Sequence, residues 1–464
     1  MEYSLKPNPV NKKLLFCIWA SLLSGCLFFF LYLDKGRMTG STFFFLASFS
    51  IIDHSNTSLS SLSPSNLAMS PQYYTTTSTT GATVMPVVSA APSPMKEGPI
   101  ALPPQRSEAK SSMTLMDGKQ EEHCDIFEGR WVYDQKRYPL YHARQCPFLS
   151  DQVSCRRNGR PDSDYEHWRW VPRGCEIPRF NGSDMLERLR GKRVIIVGDS
   201  LNRNQWESLS CLLYTSTRPS RLLVKAKGSE YKIFRALDYG CTVEFFWSPF
   251  LVKLEEIKGG NKKVLKIDRL HGFAKRWRGA DIMVFNTGHW WTHTGKTRAW
   301  DYFEKKGKLV EEMNGDEAFS TALRVWARWI DHVVDSTKTT VFFRSISPEH
   351  KSENNHWCYN QTTPITNETY IQRFPRSMVS IVEKTIQKMK TPVKYLNITR
   401  LSEYRRDAHT VIYTSRQGNV LTMDQQMQPE RFADCSHWCL PGLPDIWNEL
   451  IYVSIVGLNQ SHVM

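Results

Sequence analysis

Two short stretches hold residue types that together could make and break an ester. One is Gly198-Asp199-Ser200, which ends the apolar run RVIIV at 193–197 and opens a stretch that reads as a helix running toward Leu213. A buried strand that turns at once into a helix leaves the serine hydroxyl at the strand end. The unpaired N–H groups of the first helical turn can then stabilise a negative oxygen forming on an attacked carbonyl. The other stretch is Asp434-Cys435-Ser436-His437 near the C-terminus. A serine nucleophile needs a base, and the base needs an orienting acid. Asp434 and His437, three residues apart, can share one side of a helical turn or loop. His437 would take the proton of Ser200 while Asp434 orients the imidazole. The plainer readings are that Ser200 caps a helix and that Asp434 caps a turn beside a packed His437.

A third stretch, Asn286-Thr287-Gly288-His289-Trp290-Trp291, follows the apolar run IMVF at 282–285. It falls where an active-site loop of an α/β sheet belongs. The amide of Asn286 could serve an oxyanion, and Trp290 and Trp291 could stack on sugar rings; core packing is the competing role for the tryptophans. Two metal readings are weaker. Cys435, His437 and Cys439 form C-x-H-x-C without a matching C-x2-C pair. His289 and His293 are four apart but lack the glutamate of H-E-x-x-H. No metal is expected.

These residues need a sheet to hold them. The runs at 193–197, 241–247, 282–285, 341–343 and 393–398 read as strands. Between them, Phe319, Leu323, Trp326, Ile330 and Val333 fall on one helical face, as do Met378, Val382, Ile386 and Met389. Apolar strands alternating with amphipathic helices predict an α/β fold, a parallel sheet flanked by helices. Residues 121–180 are cysteine- and tryptophan-rich with few long apolar runs, and read as an N-terminal subdomain tied by disulfides to the catalytic domain at 181–464.

The remaining sequence speaks to compartment. Residues 14–33 form twenty positions without a charge, long enough to cross a bilayer as a helix, with 1–13 as a cytosolic tail. A cleaved signal peptide is the alternative. A second apolar run at 42–52 is too short to span. In residues 53–120, 29 of 68 positions are Ser, Thr or Pro, so 34–120 reads as a flexible lumenal stem. Nine of the 11 cysteines follow the stem, which allows four disulfides and one free thiol. Sequons begin at Asn56, Asn181, Asn360, Asn367, Asn397 and Asn459. The net charge is +14, most of it after residue 120. Together these predict a type II single-pass membrane glycoprotein of the secretory pathway with a lumenal body. Its basic surface would suit an anionic polysaccharide or a phosphorylated donor rather than nucleic acid; the alternative is that the excess charge only keeps the protein soluble.

Taken together, the blocks GDSLNRNQWESL, FNTGHWW and DCSHWCLPGLPDIWNEL, in this order behind a cysteine-rich unit, resemble the plant trichome birefringence-like family of cell-wall polysaccharide O-acetyltransferases. The likeness spans about residues 121–455. It implies a fold similar to SGNH/GDSL esterases, with Ser200 as nucleophile, His437 as base, Asp434 as orienting acid, and Arg203 and Asn286 shaping the oxyanion site. It also implies the disulfides Cys124–Cys175, Cys146–Cys211, Cys155–Cys439 and Cys358–Cys435, with Cys241 left over. The implied reaction moves an acetyl group through an acetyl-serine to a hydroxyl of xylan, pectin or mannan. The donor would be acetyl-CoA or another lumenal acetyl carrier, with no bound cofactor. The alternatives are an acetyl esterase of the same constellation, or a non-catalytic protein that bridges pectin.

Overall fold

The computed structural model describes residues 124–257, 259–351, 357–366 and 375–457. The anchor, the run at 42–52, the stem and the sequons at Asn56, Asn367 and Asn459 lie outside these residues. Among the described residues no helix is long and apolar enough to cross a membrane.

The described residues open with an antiparallel pair, β1 (Asp125–Tyr133) and β2 (Trp168–Arg173). The main sheet follows, in the order β13-β12-β9-β3-β6-β5-β4. Its strands are β3 (Arg193–Gly198), β4 (Leu222–Lys227), β5 (Tyr231–Ala236), β6 (Cys241–Trp247), β9 (Ile282–Phe285), β12 (Thr340–Arg344) and β13 (Val393–Leu396). The five strands from β13 to β6 are parallel. The other two correct the sequence expectation, because β4 and β5 run antiparallel and make the sheet mixed. Only residues 228–230 join them, far too few for the crossover that parallel strands need. A second sheet was also not foreseen. It has the order β11-β10-β8-β7 and comprises β7 (Val252–Glu256), β8 (Lys263–Leu270), β10 (Tyr302–Lys305) and β11 (Lys308–Val310).

Alternate residues of each buried strand serve opposite faces of the main sheet. Val194, Ile196, Phe245, Val284 and Phe342 pack in one core with α1 (Ser200–Tyr214) and α4 (Leu443–Val456). Ile195, Val197, Met283, Phe285 and Phe343 pack in the other with α2 (Gly315–Val333) and α3 (Arg376–Gln387). A strand buried on both faces must be apolar at every position, which is why β3 and β9 read as continuous runs.

The cysteine-rich stretch shares the first of these cores. Tyr138, Tyr141, Leu149 and Tyr165 are buried there beside α1 and α4. Four disulfides are present among the described residues: Cys124–Cys175, Cys146–Cys211, Cys155–Cys439 and Cys358–Cys435. Cys241 is free and buried. Asn181 and Asn360 are exposed and Asn397 is half-buried.

Candidate active site

The carboxyl end of β3 runs directly into α1. Gly198 is required by close packing: a Cβ there would lie 2.6 Å from Asn202 Nδ2 and 2.8 Å from the Asn286 carbonyl oxygen. Asp199, not Ser200, is the helix cap, its Oδ1 accepting from the Leu201 N–H at 2.9 Å. Ser200 is therefore the first helical residue. It is half-buried, at the positive end of α1, and its Oγ is free of hydrogen bonds among the described residues.

Behind Ser200 lies a charged group that the sequence did not reveal. Arg344, at the end of β12, is fully buried and donates through Nη2 to Asn202 Oδ1 at 2.5 Å. Asn202 in turn donates to the Val197 carbonyl at 2.8 Å. Burial pushes the Arg344 guanidinium down to about 10, while the Asp199 carboxylate works against that fall. An arginine ending a strand gives no sequence sign that it faces inward.

Asp434 and His437 lie on β17 (Asp434–Trp438), which pairs antiparallel with β14 (His409–Val411). The sequence suggested a helical turn or loop. A strand would normally point residues three apart to opposite faces, but the β14–β17 pairing shifts register between His409 and Val411. His437 Nδ1 meets Asp434 Oδ2 at 2.7 Å. Asp434 Oδ1 accepts from the backbone N–H groups of Ser436 and His437, each at 3.0 Å. Burial alone would raise the Asp434 carboxyl, but the charge and hydrogen bond of His437, with the two backbone donors, hold it well below the usual carboxylate range. An ionised Asp434 accepts Nδ1–H and leaves Nε2 of His437 as the proton acceptor.

The helix and the strand are joined one turn below the serine. Asn204 Oδ1 accepts from the Trp438 N–H at 2.9 Å, and Asn204 Nδ2 donates to the Trp438 carbonyl at 3.2 Å. No hydrogen bond joins Ser200 to His437 themselves. Gln152, from the cysteine-rich stretch, adds a second link between the two elements. Its amide nitrogen lies 3.2 Å from His437 Nδ1 and 3.4 Å from Nε2, and its oxygen accepts from Arg203 Nη2. The loop bearing Gln152 is docked on α1, where Ser150 donates through N–H and Oγ to the buried Glu207. Gln152 was missed because nothing in its local sequence marks it.

The remaining candidates separate. Asn286 is buried, and its amide nitrogen donates to the carbonyls of Arg344 at 2.9 Å and Ser345 at 3.3 Å. With two acceptors for two hydrogens it has none to offer an oxyanion in this conformation. Trp291 is a packing residue: its indole N–H donates to Thr287 Oγ1 at 2.9 Å and its ring meets Phe250 and Phe319 edge-on. Trp290 is half-buried between Trp247, Phe250 and His293. A cleft of about 710 Å³ opens instead beside the strand of Asp434 and His437, lined among others by Gln152, Lys351, Arg416, Phe432, Asp434 and Ser436. Neither tryptophan lines it. Cys435 and Cys439, the sulfur ligands of the weaker metal reading, are both in disulfides.

Comparison with known proteins bears on the same residues. Residues 177–454 match the PC-Esterase profile, a GDSL/SGNH-like acyl-esterase family found in Pmr5 and Cas1p, and residues 122–176 match the PMR5 N-terminal domain. Protein trichome birefringence-like 1 of Arabidopsis thaliana is 43% identical over 373 residues, covering 77% of this chain and 66% of that protein. Protein trichome birefringence-like 42 of the same plant is 40% identical over 345 residues, covering 73% and 91%. Probable xylan O-acetyltransferase 10 of Oryza sativa subsp. japonica is 42% identical over 342 residues, covering 71% and 77%. The matched stretch spans 66% of the first relative's length and 57% of that of Protein trichome birefringence. With an acyl-esterase profile spanning the strand–helix turn at Ser200 and the strand at His437, and relatives near 40% identity over almost the whole body, the chain belongs to the trichome birefringence-like branch of the PC-esterase family.

Proposed function

We propose that the chain is an O-acetyltransferase that esterifies hydroxyls of a plant cell-wall polysaccharide through an acetyl-serine at Ser200. The observation that carries this reading is the 2.7 Å Asp434–His437 hydrogen bond on a strand that Asn204 clamps to the serine's own helix. Two relatives bear the name xylan O-acetyltransferase, which makes xylan the first acceptor to test. The net charge of +14, with Lys351 and Arg416 on the cleft, keeps acidic pectin next, before mannan.

In the first half-reaction the donor's carbonyl reaches Ser200, and His437 takes the Oγ proton as the C–O bond forms. Asp434 stabilises the imidazolium. The oxyanion of the tetrahedral intermediate is held by the N-terminus of α1, with the Arg203 guanidinium nearby. Collapse expels the donor's leaving group, which takes its proton from His437. In the second half-reaction a sugar hydroxyl gives its proton to His437 and attacks the acetyl-serine, and Ser200 leaves reprotonated. No hydrogen bond joins Ser200 directly to His437; by this reading it forms as substrate binds, since catalytic hydrogen bonds tighten in the substrate complex.

By this reading the donor is acetyl-CoA or another acetyl carrier in the lumen, and the chain is a type II Golgi membrane glycoprotein anchored by residues 14–33. The test incubates the purified full chain with acetyl-CoA or an activated acetyl ester and with xylan, pectin and mannan oligosaccharides, read by mass spectrometry. An acetyl adduct on Ser200 and a mass gain on one oligosaccharide are expected. Transfer that persists in Ser200→Ala would overturn the mechanism. Acetate release with no acetylated sugar would convert the reading to an esterase.

A further inference from the structure

The sequence offers His289 and His293 without the acid that a metal site needs. The fold supplies one from another strand end. His289 lies just after β9 and Glu349 just after β12, and β9 and β12 are neighbours in the sheet. His289 Nε2 lies 2.5 Å from Glu349 Oε1, and the rings of His289 and His293 are 5.7 Å apart. One ligand atom from each of the three residues falls within 4.8 Å of the others.

We propose that His289, His293 and Glu349 bind a divalent transition-metal cation, zinc before others, as a brace between the loops that follow β9 and β12. Two imidazoles and one carboxylate form a donor set that zinc accepts, with a further position left for water. Two observations point to a ligand rather than to ordinary packing. Nδ1 of His293 is buried without a hydrogen-bond partner among the described residues, and His289, which turns its Nε2 toward Glu349, is 7% exposed. Buried nitrogens of this kind ordinarily find a partner, and an ion is one of the explanations for those that do not.

The geometry asks for a modest closure. Two donors on one zinc at about 2.0–2.1 Å stand a little over 3 Å apart. His293 and Glu349 are both partly exposed and can rotate inward. Glu349 Oε2 is held at 2.5 Å by Lys351, whose side chain is 66% exposed and can leave into water. Glu349 Oε1 also accepts from Ser436 Oγ at 3.2 Å, so a bound ion would reach the strand that carries Asp434 and His437.

The test strips the untagged full chain with chelator, then titrates it with Co²⁺ followed by visible absorption and with Zn²⁺ followed by calorimetry. One equivalent is expected, with a cobalt band of a low-coordinate nitrogen–oxygen site. Affinity should fall about tenfold or more in His293→Ala and in Glu349→Gln. Glu349→Gln keeps an acceptor for Ser436, and matching thermal melts of the stripped proteins would show that both variants fold. Absence of saturable binding to the wild-type chain, or equal binding by both variants, overturns the site. These readouts are independent of acetyl transfer, so the cation site and the acetyltransferase reading can fail separately.

Discussion

Ser200 and His437 are presented by two different kinds of structure. Ser200 stands on a strand–helix turn whose flanking residues are buried almost without interruption from Val194 to Leu213. His437 stands on a five-residue strand with one short partner, β14. That strand is fixed by side-chain clamps from Asn204 and Gln152 and by disulfides at Cys435, within it, and Cys439, directly after it. Hydrophobic packing places the proposed nucleophile; covalent ties and polar contacts place the proposed base. The nucleophile's support is thus continuous with the core, while the base's support is a set of separable contacts, each removable by one substitution.

The largest expected effect lies on the nucleophile side. Ser200→Ala should lower transfer about a thousandfold or more while the melting curve barely moves, because a half-buried hydroxyl with no partner is being removed. On the other side, Asp434→Asn should cost between about a hundredfold and ten-thousandfold, since a neutral amide no longer fixes the imidazole tautomer. Steady-state rates on the preferred oligosaccharide, measured beside circular dichroism, check both. An Asp434→Asn variant with unchanged rate would mean that the hydrogen bond to His437 is structural only.

Disulfides allow a more direct comparison of the two supports. Cys146–Cys211 joins the cysteine-rich stretch to the far part of α1, and Cys358–Cys435 holds the strand of Asp434 and His437. They close segments of similar length, with sequence separations of 65 and 77. Chain entropy therefore predicts similar stability losses, about 4 kcal/mol each, when both cysteines of a pair become alanine. Activity of the folded protein should diverge: near wild type without Cys146–Cys211, and lower without Cys358–Cys435. Equal activity losses would show that the strand of Asp434 and His437 does not depend on its local tie. Gln152→Ala probes the polar support in the same way. About a tenfold fall in kcat with little change in stability is expected, because only the bridge from Arg203 to His437 is lost.

The same division explains what could be read from the sequence. The strand–turn–helix at Ser200 was legible because a doubly buried strand must be apolar throughout and a glycine must follow where the backbone packs tightly. Asp434 and His437 were legible as residue types, but the strand under them was not, since its pairing with β14 leaves no periodic signal. The antiparallel edge, β4 and β5, was hidden by exposed lysines and arginines that blur alternation. Arg344, Gln152 and Glu349 act through contacts with residues more than fifty positions away, and no local pattern encodes such contacts. The two tryptophans could not be told apart because paired aromatics look alike on a sugar platform and in a core; the fold packs Trp291 and leaves Trp290 half-buried.

The smallest expected effect concerns the seam between the cysteine-rich stretch and the sheet, and it sharpens the contrast through protons. Asp434 is held ionised, but Glu449 and Asp445 on α4 are pushed up to about 7 by burial, with hydrogen bonds from Phe180 N–H and Tyr138 for Glu449 and from Ser208, Gly442 N–H and Tyr141 for Asp445 opposing the rise. A carboxyl whose pKa is raised on folding keeps its proton in the folded state, while the unfolded chain releases it near about 4. From about pH 4 to about pH 7 the folded state therefore binds more protons, and stability must fall as pH rises through that window. Asp434 acts in the opposite sense, adding stability that is lost only in stronger acid. The melting temperature should thus be several degrees lower at about pH 8 than at about pH 5. Glu449→Gln should shrink that difference by raising the melting temperature at the alkaline end, because its amide oxygen still accepts from Phe180 and Tyr138 without a buried charge. A slope unchanged by this substitution would place the titrating proton elsewhere and leave the seam governed by packing, as the nucleophile's turn is.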